Sequence, residues 1–496
     1  MQAEHKFREI LKKIKAYGYV LSLVGWDSNT EAPRESFGRR AEMMGILSRE
    51  LFALQTGKEY IKAIDELFEN LDNLNDQLKR EVKKAKKELD KIINIPENEY
   101  VEYSKLIQIT QIVWEDAKKN NDYNAYKENL QKIIDFTKKF ALYYAPNNDP
   151  YDTLLDEYEE GMTTKEYDDF FGILKKDLVP FVKKILKVSK NDYDKFINDS
   201  YDPKKQEEFC DYLIDVVKFD RNRGLMKKSV HPFTWNTSPE DVRFTTRYLK
   251  NYVFSSVFAA IHELGHATYE QQISTEFDDT MLSGGTSMGI HESQSRFYEN
   301  TIGRSLAFWE THLDKFKELF PEQTKGITPK DMYRAVNHVE ASLVRVEADE
   351  LTYPLHIMLR YDIERKIMSG EATIEKLPEL WNDLMEQYLG IRPETDSDGV
   401  LQDVHWSGGM LGYFPTYALG SAYSAQIYYA MIKDLDLDVI IKNNELEKVN
   451  EWLKEKIHKY GSSKTPKEII KDVTGEEFNA KYYVKYLIEK YSKIYL

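Results

Sequence analysis

The chain has 496 residues, of which 31% are charged and 42% hydrophobic, with a formal net charge of −15. Its 23 glycines, 15 prolines and single cysteine, Cys210, are too few for a loop-rich all-β protein or a disulfide scaffold. The acidic balance argues against nucleic acid and against an anionic membrane surface. No run of ~18 apolar residues marks a membrane span, and the lone cysteine suits a reducing, cytoplasmic compartment.

In chain order, Met1-Gln2-Ala3-Glu4-His5-Lys6 opens a charged amphipathic helix without the apolar core of a signal peptide. Leu74 to Ile93 carries apolar residues at helical spacing. Acids interleave with its lysines between Lys79 and Lys91, as on a solvated helix face. Thr163 with Glu166, and Thr465-Pro466-Lys467-Glu468, fit capping boxes. Val230 to Tyr248 reads differently: Pro232, Asn236, Ser238 and Pro239 punctuate it, and Val242, Phe244 and Thr246 alternate with Arg243, Thr245 and Arg247, a strand signal. Val253 to Gln272 predicts a largely apolar, buried helix. After the turn-rich Ser283-Gly284-Gly285-Thr286-Ser287-Met288-Gly289, a second helix starts at His291. Thr328-Pro329 begins a long helical run to about Gly370, which Pro354 should kink or break. The pattern predicts an all-α, mainly helical fold with a small β-sheet.

The chemistry sits in the second half, where eight of the ten histidines fall between His231 and His405. Inside the apolar helix stands His262-Glu263-Leu264-Gly265-His266, an HExxH pattern. Residues i and i+4 project from one face of a helix, so two imidazoles can bind one Zn²⁺, with Glu263 beside the open position as general base. Two surface histidines would be the plain alternative, but His and Glu side chains buried in so apolar a helix need partners or a metal. Gly265 and Ala267 are expected to leave room beside the metal. A third ligand, His or carboxylate, should lie downstream. A helix, a flexible loop and a second helix could return Glu292 to the pair; otherwise His291 or Glu292 caps that helix. Cys210 reads as an ordinary helix residue.

HELGH followed by HESQSR, with Glu292 thirty residues after His262, resembles the carboxypeptidase Taq family of zinc metallocarboxypeptidases. Other signatures appear in order: His231-Pro232-Phe233 (HPF), Asp241 to Thr245 (DxRxT), Val344 to Asp349 ([IV]RxxAD) and Gly399 to Trp406 (GxxQDxHW). Trp26-Asp27 with Thr30 and Pro33, and Tyr151-Asp152 through Gly161, resemble its N-terminal stretches. The resemblance covers essentially the whole chain. It implies one zincin-like, elongated helical body split by a deep central groove, with residues 1–220 as a wall, 221–430 as the catalytic core and 431–496 as C-terminal helices. It also implies a homodimer.

The resemblance assigns the metal to His262, His266 and Glu292, with Glu263 as base. Imidazole and carboxylate ligands accept Co²⁺ or Mn²⁺ as well as Zn²⁺. Release of a C-terminal residue requires a cation facing the terminal carboxylate. Arg345 in the VRxxAD motif is the first choice, with Arg243 and Arg296 as rivals; a helical pair with Asp349 at i+4 is the alternative for Arg345. His405, Tyr413 and Tyr417 could stabilise the oxyanion, although either tyrosine could be packing. His231 is a groove-lining donor, and His291 could hold Glu292 in place. His312, His338, His356 and His458 read as structural or exposed. The expected substrates are peptides with a free C-terminus, losing single residues with broad specificity. An oligopeptidase or dipeptidyl-carboxypeptidase is the alternative, and a non-catalytic metal-binding helical protein a further one.

Overall fold

The protein is described by a computed structural model covering residues 2–190 and 192–496. Among the described residues eleven α-helices come first: α1 (Gln2–Thr30), α2 (Phe37–Gln55), α3 (Lys58–Glu69), α4 (Asp76–Ile93), α5 (Glu97–Asn120), α6 (Tyr123–Tyr144), α7 (Pro150–Tyr158), α8 (Thr164–Ile173), α9 (Val179–Val188), α10 (Asp194–Ile197) and α11 (Pro203–Val217). Local chemistry sets many of their starts. Asn75, Asp122, Asp149 and Asp202 each accept a backbone N–H of the first turn, and Thr163 with Glu166 forms the expected capping box.

Three short strands follow: β1 (Gly224–Lys228), β2 (Thr234–Ser238) and β3 (Asp241–Thr246), in spatial order β1-β3-β2. β1 runs parallel to β3, and β2 antiparallel with an irregularity between Asn236 and Ser238. The strand signal over Val230 to Tyr248 thus resolves into β2 and β3. β1 lacked a sequence signal, because Gly224-Leu225-Met226-Lys227-Lys228 has no alternation and only two apolar side chains. Val242 and Phe244 are fully buried, which turns that face of the sheet onto the helix behind it.

That helix is α12 (Val253–Gln272), followed by α13 (Met288–Arg296), a π-helical segment Phe297–Gly303, α14 (Leu306–Leu319), α15 (Pro329–Val336), α16 (Tyr353–Ser369), α17 (Leu377–Leu389) and α18 (Pro415–Met431). Three short helices, α19 (Leu437–Lys442), α20 (Glu447–Lys456) and α21 (Pro466–Thr474), and the longer α22 (Lys481–Tyr495) follow. The long run expected from Thr328 to Gly370, kinked or broken at Pro354, is interrupted well before that proline. Thr328 caps α15, but the helix stops at Val336, and Pro354 occupies the first turn of a new helix, where its missing N–H costs nothing. Gly370 ends that helix with φ +80°, as foreseen. The main hydrophobic core runs from α5 to α22, while α1, α3 and α4 share a separate smaller one around Phe7, Ile64 and Val82.

Candidate metal centre and active site

α12 is apolar nearly all round, so it runs through the core and can present polar groups only where they are partnered. His262 and His266 emerge from one face. Opposite them, α13 brings Glu292. Glu292 Oε2 lies 3.6 Å from His262 Nε2 and 3.5 Å from His266 Nε2, and the three donor atoms fall within 4.8 Å of one another. Ligands at about 2.1 Å in a tetrahedron are about 3.4 Å apart, so this triangle fits a zinc-sized ion. The outer nitrogens fit too. His262 Nδ1 stands 2.9 Å from Glu299 Oε2, and His266 Nδ1 2.6 Å from His291 Nδ1, which leaves both Nε2 atoms turned to Glu292.

Small residues permit this meeting of helices. A Cβ on Gly265 would stand 2.7 Å from Ser295 Cα and 2.8 Å from Gln294 O. The glycine makes room for the α13 backbone, not for the metal as the sequence suggested. The α13 cap is Ser287, which accepts the Ile290 N–H; neither His291 nor Glu292 caps it. Glu292 is held by Arg296 Nε at 2.7 Å and Ser295 Oγ at 3.0 Å, so the expected link from His291 to Glu292 is replaced by a link to His266.

Glu263 is buried beside the pair, and strand β2 reaches it: Thr234 Oγ1 donates to Glu263 Oε2 at 2.7 Å. Burial pushes its carboxyl above the usual range, against the pull of His262, the direction a general base near neutral pH needs.

Arg345 lies in a short 3₁₀ turn (Arg345–Glu347), not in an α-helix, so no i+4 pair with Asp349 exists. Asp349 instead accepts from the Leu351 and Thr352 N–H groups. The partner of Arg345 is Asp403, reached by Nε at 3.1 Å and Nη2 at 2.9 Å. Arg360, fully buried, donates to the other Asp403 oxygen at 2.6 Å, and Gln402 Oε1 accepts from both Arg360 Nη2 and the Arg345 N–H. Burial alone would raise the Asp403 carboxyl, but the two guanidinium groups hold it well below the usual range. Two cations on one carboxylate leave a net positive charge at this spot. Arg345 also lies over the Tyr417 ring, 5.3 Å from its centroid.

His405, Tyr413 and Tyr417 form one aromatic cluster, with His405 5.6 Å from Tyr413 and Tyr413 5.1 Å from Tyr417, centroid to centroid. Burial lowers the His405 imidazole to about 4, and its Nδ1 is a buried polar atom with no hydrogen-bond partner. The cluster joins the metal triangle through Tyr353, which packs edge-on against Tyr417 and lies under Arg296. Arg243 is elsewhere. It forks onto Asp241 at 2.7 and 2.8 Å and stacks on Trp235. His231 is exposed on the loop before β2, outside these networks.

Sequence reasoning missed Glu299, Asp403 and Arg360. Glu299 follows Glu292 by seven residues, which is the one available signal, but a π-helical segment carries it and shifts helical phase. His312 and His458 are structural, bonded to Tyr212 and to Gln272 and Gln294.

The profile of the carboxypeptidase Taq (M32) metallopeptidases matches residues 6–491. Carboxypeptidase 1 of Bacillus subtilis is 44% identical over 494 residues, 99% of each chain. Thermostable carboxypeptidase 1 of Pyrococcus furiosus is 38% identical, over 97% of this chain and 96% of that one. Among solved structures, the M32 carboxypeptidase from Deinococcus radiodurans superposes with a TM-score of 0.95 at 33% identity, covering all of both chains. A Pyrococcus furiosus carboxypeptidase gives 0.95 at 36%, over 99% of each. Profile, sequence and architecture agree over the full length: the chain belongs to the carboxypeptidase Taq (M32) metallopeptidases.

Proposed function

We propose that this metallocarboxypeptidase holds Zn²⁺ on His262, His266 and Glu292 and removes single residues, with broad specificity, from peptides with a free C-terminus. The observation that carries the reading is the triangle of two Nε2 atoms and one carboxylate oxygen, with the buried Glu263 beside it and outside it. When bound, the metal supplies Lewis acidity to the scissile carbonyl and to the attacking water. Glu263, steadied by Thr234, takes the water's proton and delivers it to the leaving amine. Arg345, oriented by Asp403 and Gln402, anchors the terminal carboxylate. His405, Tyr413 and Tyr417 offer donors to the oxyanion. Arg243 shapes the groove through Asp241 and Trp235, and His231 lines its rim. Co²⁺ and Mn²⁺ are substitutes the same donor set accepts.

The chain works as one catalytic domain: a helical wall over 1–220, a core over 221–430 and C-terminal helices over 431–496. It acts as a homodimer in the cytoplasm, on peptides and not on nucleic acid or membranes. The net charge of −15 argues against nucleic acid and anionic membrane surfaces as partners, and among the described residues no helix is long and apolar enough to cross a membrane. Glu263→Gln tests the chemistry. It should retain about one metal ion per chain by elemental analysis while kcat falls by several orders of magnitude. Loss of the metal together with activity would make Glu263 structural and sink the reading.

A further inference from the structure

The two histidines of the metal triangle are supported differently. His262 Nδ1 meets a carboxylate directly, Glu299, which is itself paired with Arg296 and Arg304. His266 Nδ1 meets a second imidazole, His291, at 2.6 Å, and the far nitrogen of that ring, His291 Nε2, lies 2.7 Å from Glu270 Oε1. Glu270 is 4% exposed. Its other partners are the Gly285 N–H at 3.1 Å and the Asn236 amide at 2.7 Å. Neither is ionisable, so among the described residues His291 is the one titratable side chain hydrogen-bonded to this buried carboxylate, which is costly to desolvate.

With His266 Nε2 kept free for the metal, the hydrogens on this line have one consistent order. A carboxylate accepts only, so His291 Nε2 must donate to Glu270. Neutral His291 then has a lone pair at Nδ1, which must receive the His266 Nδ1–H. That places the His266 lone pair on Nε2, the atom facing Glu292. The ring of His291 is held from behind: a Cβ on Gly285 would lie 2.7 Å from its Cδ2. Strand β2 fixes both ends of the apparatus from one face. Thr234 holds the base Glu263, and Asn236, two residues on, holds Glu270.

We propose that Glu270, His291 and Asn236 are positioning residues: Glu270, anchored by Asn236 and acting through His291, sets the tautomer and orientation of His266 for the divalent cation. The inference rests on His266 being a metal ligand, as proposed above.

Zn²⁺ affinity by chelator competition tests it on the full-length protein, comparing the unaltered chain with Glu270→Gln, His291→Ala, their combination and Asn236→Ala. Glu270→Gln and His291→Ala should each weaken Zn²⁺ binding roughly 10–100-fold, and Asn236→Ala less. The combination should bind no more weakly than His291→Ala alone, because Glu270 has no other route to the metal. Co²⁺ loaded into Glu270→Gln should show a shifted visible spectrum. Affinity for Glu270→Gln within twofold of the unaltered chain, or losses that multiply in the combination, would overturn the relay. If His291→Ala does not fold, Glu270→Gln and its Co²⁺ spectrum decide alone. Failure of the unaltered chain to bind Zn²⁺ would instead overturn the metal site on which the relay stands.

Discussion

Gly420 and Glu292 touch: a Cβ added to Gly420 would stand 2.6 Å from both Cβ and Cγ of Glu292. Helix α18 therefore packs on α13 at Glu292, the proposed third metal ligand. Gly420→Ala gains about 1 kcal/mol of helix propensity but inserts a methyl group into this contact, at a typical overpacking cost of about 1–3 kcal/mol. The overpacking should win. We expect a lower urea midpoint and at least tenfold weaker Zn²⁺ binding; a more stable variant with unchanged affinity would contradict the packing account.

Glu299 should matter almost as much as a ligand. Glu299→Gln keeps an acceptor for His262 Nδ1 but removes the charge that Arg296 and Arg304 share. Zn²⁺ affinity should fall roughly 10–100-fold, read by chelator competition. Glu299→Ala leaves mostly buried guanidinium groups uncompensated and should cost about 3–5 kcal/mol in denaturant unfolding as well.

Asp403→Asn separates anchor from metal. It removes the carboxylate that orients Arg345 and Arg360, so KM for peptides should rise at least tenfold while metal content stays near one per chain. Arg345→Ala should process peptides with free and amidated C-termini almost alike, both poorly. A steady-state comparison of the two variants checks this; unchanged KM in Asp403→Asn would move the anchor away from Arg345.

The sequence carried most of the centre and less of its support. His262, Glu263 and His266 are legible because a five-residue helical spacing fixes their geometry. Glu292 needed the family pattern, since only tertiary packing closes the loop that returns it. The capping boxes at Thr163 and Thr465 form as expected because they are local. Pro354 marks a break between Thr328 and Gly370, but the helix ends earlier, at Val336, because tertiary contacts hold the intervening stretch, among them Arg345 to Asp403, 58 residues apart. His291 was tied to the wrong neighbour because hydrogen-bond direction cannot be read from adjacency.

Glu364 gives stability a pH dependence. It accepts from Tyr151 Oη, Trp406 Nε1 and the Gly412 N–H, tying α7 to the segment that carries His405 and Tyr413. Burial nonetheless pushes its carboxyl up from 4.5 to about 7. A raised folded value means that the folded chain holds a proton the unfolded chain has released. The contribution is full below pH 4.5 and is lost as pH rises through 7, a change of about 3 kcal/mol. Urea unfolding between pH 5 and 8 should therefore show stability falling with pH, and Glu364→Gln should make that slope shallower, the remainder belonging to groups such as Glu159, likewise raised by burial to about 7. An equal slope in the variant would place the proton elsewhere.

In the proposed reaction the metal triangle and the Arg345 anchor together cut one residue from a free C-terminus. Mass spectrometry of a mixed peptide set incubated with the Zn²⁺-loaded protein, each peptide offered with a free and an amidated C-terminus and with a free and an acetylated N-terminus, tests it most directly. The account predicts single amino acids released in succession from free C-termini, no effect of N-acetylation, and little cleavage of the amides, because a buried cation deprived of its partner costs about 2–5 kcal/mol. Rapid, equal cleavage of free and amidated peptides would contradict it, and release of dipeptides would place the anchor one residue, about 3.5 Å, further from the metal.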